Sequence, residues 1–189
     1  MALTRAELQA HVGGLVDDLL GDDCRLLFVG INPGLVSAAV NAHFARRGNR
    51  FYPALQAAGL TDRVIDASTG MSDRDRDALT RRGIGITNIV GRASAKATDL
   101  DSDELRRGAD ELAAKVEHVT PAVVAILGVG AYRIAFDRPG AVVGRQEARL
   151  GGAELWVAPN PSGLNAHETV TSLGRAYHEI AVAAGVVDR

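Results

Sequence analysis

Four short apolar blocks punctuate the chain, and each is closed by turn-forming residues. Leu26–Ile31, Gly83–Val90, Pro121–Gly128 and Glu154–Ala158 are rich in β-branched and aliphatic residues. Such runs, a few residues long and apolar on both faces, are the signature of strands in a covered parallel sheet. The stretches between them carry apolar positions at helical spacing. Leu8, Val12, Leu15 and Leu19 predict a helix over Leu3–Leu20, with Thr4 as its N-cap and Gly21 as its stop. Phe51–Ala58 predicts a helix ending at Gly59, and the charged region Asp62–Arg82 a loop with a short outer helix. Leu105, Ala109, Leu112 and Val116 form the stripe of a helix starting at Ser102. Gly130–Phe136 and His167–Ala184 complete the set, the last with Val170, Leu173, Tyr177 and Ile180 turned inward. Val142–Leu150 reads as an edge segment.

Strands alternating with helices give an α/β fold with a parallel sheet covered on both faces. No repeat, low-complexity tract or linker divides the 189 residues, so residues 1–189 are read as one domain. With 47% apolar and 23% charged residues the composition is that of a globular protein. No stretch approaches the roughly 20 apolar residues of a membrane span, and Met1–Leu20 lacks the apolar segment of a secretory signal. A cytoplasmic location and no membrane partner are expected.

Two turns carry candidate chemistry. The first strand ends in Gly30-Ile31-Asn32-Pro33-Gly34-Leu35, and the strand Glu154–Ala158 ends in Pro159-Asn160-Pro161-Ser162-Gly163-Leu164-Asn165. Ligands of open α/β sheets bind beyond the carboxyl ends of the strands, which is where both loops fall. Asn-Pro turns with a glycine are also ordinary turn chemistry, so each loop alone is a weak signal. Together they would face each other across a cleft.

This pair of loops resembles the two signature loops of the mismatch-specific uracil/thymine-DNA glycosylases, within the uracil-DNA glycosylase superfamily. The likeness extends to Asn49-Arg50-Phe51-Tyr52, Gly83–Val90, Ala125-Ile126-Leu127-Gly128 with Ala131-Tyr132, and Leu155-Trp156-Val157, in order from about Leu26 to Ile180. It implies a three-layer αβα sandwich around a four-stranded parallel sheet. It also implies a monofunctional hydrolase of N-glycosyl bonds. Such an enzyme excises uracil, or thymine or damaged cytosine, mispaired with guanine, and leaves an abasic site for base excision repair. A glycosylase for a deaminated purine or an etheno adduct, or a lesion-binding protein with little turnover, are the alternatives. An unrelated nucleotide-binding protein is disfavoured, because no phosphate-loop glycine pattern follows the first strand.

The resemblance assigns roles residue by residue. Asn32 would position the attacking water, and Ile31 with the turn amides would face the departing base. Phe44 would stack on the flipped base, although a phenylalanine in a chain with 4% aromatic residues is ordinarily core. Asn88 would contact the base edge, where an amide offers a donor and an acceptor together. Ser37 would line the pocket near the pyrimidine C5, or simply be a polar residue after a turn. Leu164 would be the apolar wedge that fills the gap left by flipping, with Gly163 and Asn165 reading the opposite base and Asn160 and Ser162 binding DNA beside them. An arginine that the family can carry near Ala166 is missing. His167 reads as a helix-start or phosphate-contacting residue rather than a catalytic acid. No lysine stands in the matched loops, so Schiff-base lyase chemistry is not expected.

Charge and cysteine content narrow the picture further. Cys24 is the only cysteine, which excludes an internal disulfide and a cysteine-ligated iron–sulfur cluster, and it reads as a small buried hydrophobe. The five histidines lack ligand spacing, so neither a metal nor another cofactor is expected. A net charge of −2 runs against the basic footprint of a nucleic-acid binder. The double-stranded DNA partner therefore requires local charge. Arg46, Arg47 and Arg50, with Arg81, Arg82 and Arg92, would supply it if they converge on the cleft rim. A monomer in a bacterial cytoplasm, bound to the nucleoid during repair, completes the expectation.

Overall fold

The structure is a computed structural model that describes residues 3–188. Its centre is a five-stranded sheet in the order β2-β1-β3-β5-β4. Strands β1 (Leu26–Gly30), β2 (Ile84–Asn88), β3 (Val123–Leu127) and β5 (Ala153–Ala158) run parallel, and β4 (Gly144–Leu150) pairs antiparallel with β5. The expected four-stranded parallel sheet is thus extended by one antiparallel strand. The cause is local. Gly151 and Gly152 take positive φ (52° and 86°) and turn Val142–Leu150 back along β5 as a hairpin. Arg145, Glu147 and Arg149 are exposed on this edge strand, as charged residues on an open edge should be.

Side chains of β1 alternate between two cores. Leu26 and Phe28 enter one cluster with Phe51, Leu55, Leu79, Leu173 and Tyr177. Leu27 and Val29 enter the other, with Leu105, Leu112, Val116 and Tyr132. Helices α3 (Phe51–Ala57), α4 (Asp73–Arg81) and α7 (Val170–Ala183) therefore cover one face. Helices α5 (Ser102–Val119) and α6 (Val129–Ala135) cover the other. A short helix, α2 (Leu35–Val40), follows the first turn.

The amino-terminal helix is far shorter than its apolar spacing predicts. Thr4 does cap it, through a reciprocal pair with Glu7, but α1 covers only Arg5–Gln9. Gly13 (φ +78°) and Gly14 break the helix and instead exchange backbone hydrogen bonds with Ala93 at 2.9 and 2.8 Å. Leu19 pairs with Ile86 on the β2 edge. Val12 and Leu15, expected on a buried stripe, are exposed. Cys24 is buried, and desolvation raises its thiol pKa to about 11, so it is an inert packing residue.

Candidate functional site

The chain leaves β1 for β2 on one side of the sheet and returns to β3 on the other, so the strand order reverses between β1 and β3. The loops after β1, β3 and β5 converge there. A Cβ placed on Gly128, just beyond β3, would stand 3.2 Å from Ile31 Cδ1 and 3.7 Å from Asn160 Nδ2. The two Asn-Pro loops thus share one sheet edge, at the switch point where α/β folds bind ligands.

Asn32 is half-buried, and its side-chain nitrogen is fully committed. Nδ2 donates to the carbonyl oxygens of Arg92 (3.1 Å) and Pro33 (3.2 Å) and to Ser94 Oγ (2.8 Å). Ser94 is 3% exposed and donates in turn to the carbonyl oxygen of Lys96 at 2.6 Å. Two of the three partners of Nδ2 are carbonyls, which only accept, so the amide has one permitted orientation. Its oxygen Oδ1 is left to accept a hydrogen bond. Beside it, the β1 ladder stops: among the described residues no protein acceptor takes the N–H of Ile31 or Asn32. The turn therefore offers one oriented acceptor and two main-chain donors, and no carboxylate stands in it.

Gly30 and Asn88 are register partners at the ends of β1 and β2. A Cβ on Gly30 would stand 2.4 Å from Asn88 Oδ1 and 3.1 Å from Phe44 Cζ. Only glycine lets these two side chains meet over the strand end. Phe44 holds a left-handed backbone (φ +54°), a strained state for a bulky residue, and its ring stacks on Phe51 at 4.1 Å. Two ties hold the Phe44 loop. Ser37 is buried, and its hydroxyl accepts from the Ala45 amide at 3.2 Å. Tyr52 donates its hydroxyl to the carbonyl of His43 at 2.8 Å. Ser37 is thus tied to the Phe44 loop, and Phe44 and Asn88 meet at Gly30, the residue that leads into Ile31 and Asn32.

The second loop is built from its own side chains. Asn160 Oδ1 accepts from the Ser162 amide (2.9 Å), Ser162 Oγ from the Leu164 amide (3.3 Å), and Asn165 Oδ1 from the His167 amide (3.2 Å). Asn165 Nδ2 closes the loop on the carbonyl of Asn160 at 3.1 Å. Arg50 then ties this loop to the Phe44 segment. Its guanidinium donates to the carbonyls of Ser162 and Asn165, both at 2.7 Å, and of Glu168, and its own amide donates to Pro161. Gly163 packs so closely on Gly48 that a Cβ there would be 2.5 Å from the Gly48 carbonyl oxygen. The outcome is a loop braced by hydrogen bonds with an exposed apolar tip: Leu164 is 78% exposed. His167 is also exposed and makes no side-chain tie to Asn32.

The six arginines do not converge. Arg46 and Arg47 are exposed on the Phe44 loop, but Arg50 is spent on carbonyls. Arg92 sits at the same sheet edge yet is paired with Glu104, whose carboxyl it holds below the ordinary range. Arg81 and Arg82 precede β2 and so lie at the opposite end of the sheet, Arg81 3.6 Å from Asp77. Of the six, only Arg46 and Arg47 stand exposed at this sheet edge without an ion-pair partner among the described residues. The sequence reading also missed Ser94, His43 and the bracing role of Arg50. A polar residue downstream of a strand end was the one available signal for Ser94. The pairing itself spans 62 residues.

Comparison with known proteins agrees with this architecture. The solution NMR structure of a candidate uracil DNA glycosylase from Methanosarcina acetivorans superposes with a TM-score of 0.60. The match covers 89% of this chain and 98% of that one, at 15% sequence identity, and so speaks to the fold. The family model of the uracil DNA glycosylase superfamily matches residues 18–181, which include both Asn-Pro loops and every strand. The chain belongs to the uracil DNA glycosylase superfamily.

Proposed function

We propose that the protein is a monofunctional DNA glycosylase that removes uracil mispaired with guanine, and leaves an abasic site. The observation that carries this reading is the pairing of two features at one sheet edge: Asn32 with its amide oxygen alone left to accept, and the braced loop that presents Leu164 to solvent.

Excision requires the nucleotide to leave the stack, its edge to be recognised, and water to reach C1′. Leu164 enters the space that the flipped nucleotide vacates, an apolar side chain offsetting lost stacking. The base lies against Phe44 with its polar edge toward Asn88. Asn32 Oδ1 accepts a hydrogen bond from water and orients it, but an amide cannot take the proton as a carboxylate would. The glycosidic bond therefore breaks largely before water attacks. The departing base anion is met by the free amides of Ile31 and Asn32, and water captures the oxocarbenium-like sugar, the proton it releases neutralising the base anion. Arg46 and Arg47 supply the phosphate contacts, so affinity is salt-dependent.

The test is single-turnover excision from duplexes bearing G·U, A·U and G·T, and from single-stranded uracil, with chelator present and abasic sites read by alkaline cleavage. Release from G·U well above A·U and single strand is expected. Equal release from all uracil substrates would make the enzyme a general uracil glycosylase, and no release despite DNA binding would refute the reading.

A further inference from the structure

His43, adjacent to Phe44, is 4% exposed and has both ring nitrogens engaged. Nε2 lies 3.1 Å from the main-chain carbonyl oxygen of Asp17, and Nδ1 lies 3.1 Å from Asn88 Nδ2. A carbonyl oxygen only accepts, so Nε2 carries the ring proton. In the neutral imidazole Nδ1 is then a bare acceptor. Its partner must be the NH2 end of Asn88, because a reversed amide would set an oxygen lone pair against a nitrogen lone pair. Burial keeps the ring neutral, pushing its pKa down to about 4. Of the charged groups around it, Asp18 favours the imidazolium, while Lys115 and Arg76 oppose it. Asp18 and Lys115 are themselves paired at 2.6 Å.

The far end of the Asn88 amide is thereby determined. Oδ1 projects over Gly30 beside the Phe44 ring, where a Gly30 Cβ would meet it at 2.4 Å. We infer that His43 is a positioning residue that locks the Asn88 amide with its oxygen toward the base, so that the pocket accepts a base edge presenting an imino N–H and rejects one presenting a bare ring nitrogen. This rests on the glycosylase reading above. Uracil and thymine present N3–H at that edge, whereas cytosine presents an unprotonated N3, which would face the Asn88 oxygen lone pair to lone pair. Discrimination of a deaminated base from its parent is thus set by a histidine tautomer, 45 residues from the amide it holds.

Two measurements test this. Long-range 15N–1H spectra of the wild-type imidazoles report the tautomer of His43, identified by its loss in His43→Gln. The Nε2–H form with unprotonated Nδ1 is expected at pH 7, and an Nδ1–H form overturns the proposal whatever the activity. In single-turnover assays on G·U and G·C duplexes, His43→Leu should lower uracil release about tenfold or more without lowering cytosine release. Affinity for abasic product DNA should not change, and His43→Gln, whose side-chain oxygen can take the Asn88 N–H, should recover most of the rate. An unchanged uracil-to-cytosine ratio in folded His43→Leu also overturns it. If the wild type releases no uracil, the glycosylase reading fails, and the tautomer and the Asn88 amide resonances still decide the positioning.

Discussion

The side-chain nitrogen of Asn32 donates to the hydroxyl of Ser94 at 2.8 Å, which locks the amide that points its oxygen out of the first turn. Ser94 is buried and donates its own hydrogen bond to the carbonyl of Lys96. Ser94→Ala removes one of three acceptors of Nδ2 and frees part of the amide's rotation. The expected result is a fall in the excision rate of about fivefold to tenfold, the worth of one hydrogen bond, with DNA affinity unchanged. Single-turnover kinetics with a parallel binding isotherm check this split.

Arg50 and Leu164 act on the second loop in different ways. Arg50 holds three carbonyls of residues 162–168 in a planar fork, which an ammonium cannot match. Arg50→Lys should loosen the loop, seen as faster proteolytic cleavage within 160–168 and about tenfold weaker duplex binding. Leu164 is exposed, so Leu164→Ala should leave the melting temperature unchanged. Its excision from duplex DNA should fall about tenfold while excision from single-stranded DNA is spared, because only the duplex has a stack to refill.

Gly30 marks the closest approach in the site. Gly30→Ala must displace Asn88 Oδ1 and the Phe44 ring, which a new Cβ would meet at 2.4 and 3.1 Å. We expect a folded protein, by circular dichroism, with excision reduced by more than about tenfold, since a small misplacement of reacting groups costs heavily in rate.

Much of this was legible in the chain. The blocks Leu26–Gly30 and Val123–Leu127 are apolar at every position because both faces are covered, and their shortness and β-branched residues mark them as strands. The outer strand Gly144–Leu150 was visible as an edge segment, but its direction depends on the Gly151–Gly152 turn. The helix predicted through Leu19 fails at Gly13–Gly14 because pairing with Ala93 outcompetes the helical spacing. Asn32, Phe44 and Asn88 could be named from motif and order. The orientation of the two amides could not, since it depends on Ser94 and His43, polar residues whose partners are distant in sequence and leave no periodic trace.

His43 also contributes to acid stability. Its folded pKa is lowered from 6.5 to about 4 by burial, so the native state resists a proton that the unfolded chain accepts. This contribution is fully present above pH 6.5 and is lost as pH falls toward 4, amounting to about 3 kcal/mol across that window. Below about 4 this group adds no further slope. Urea midpoints measured between pH 7 and 4 should decline in the wild type, and His43→Gln should flatten that part of the curve.

The most direct measurement is single-turnover release of uracil from a G·U duplex by the wild type and Asn32→Ala, with binding to the same duplex measured alongside. Loss of the oriented acceptor should slow release by a factor on the order of 10²–10³ while the dissociation constant stays within about twofold. An Asn32→Ala protein that binds equally well and releases uracil at the wild-type rate would contradict the account, because water would then be placed by some other group.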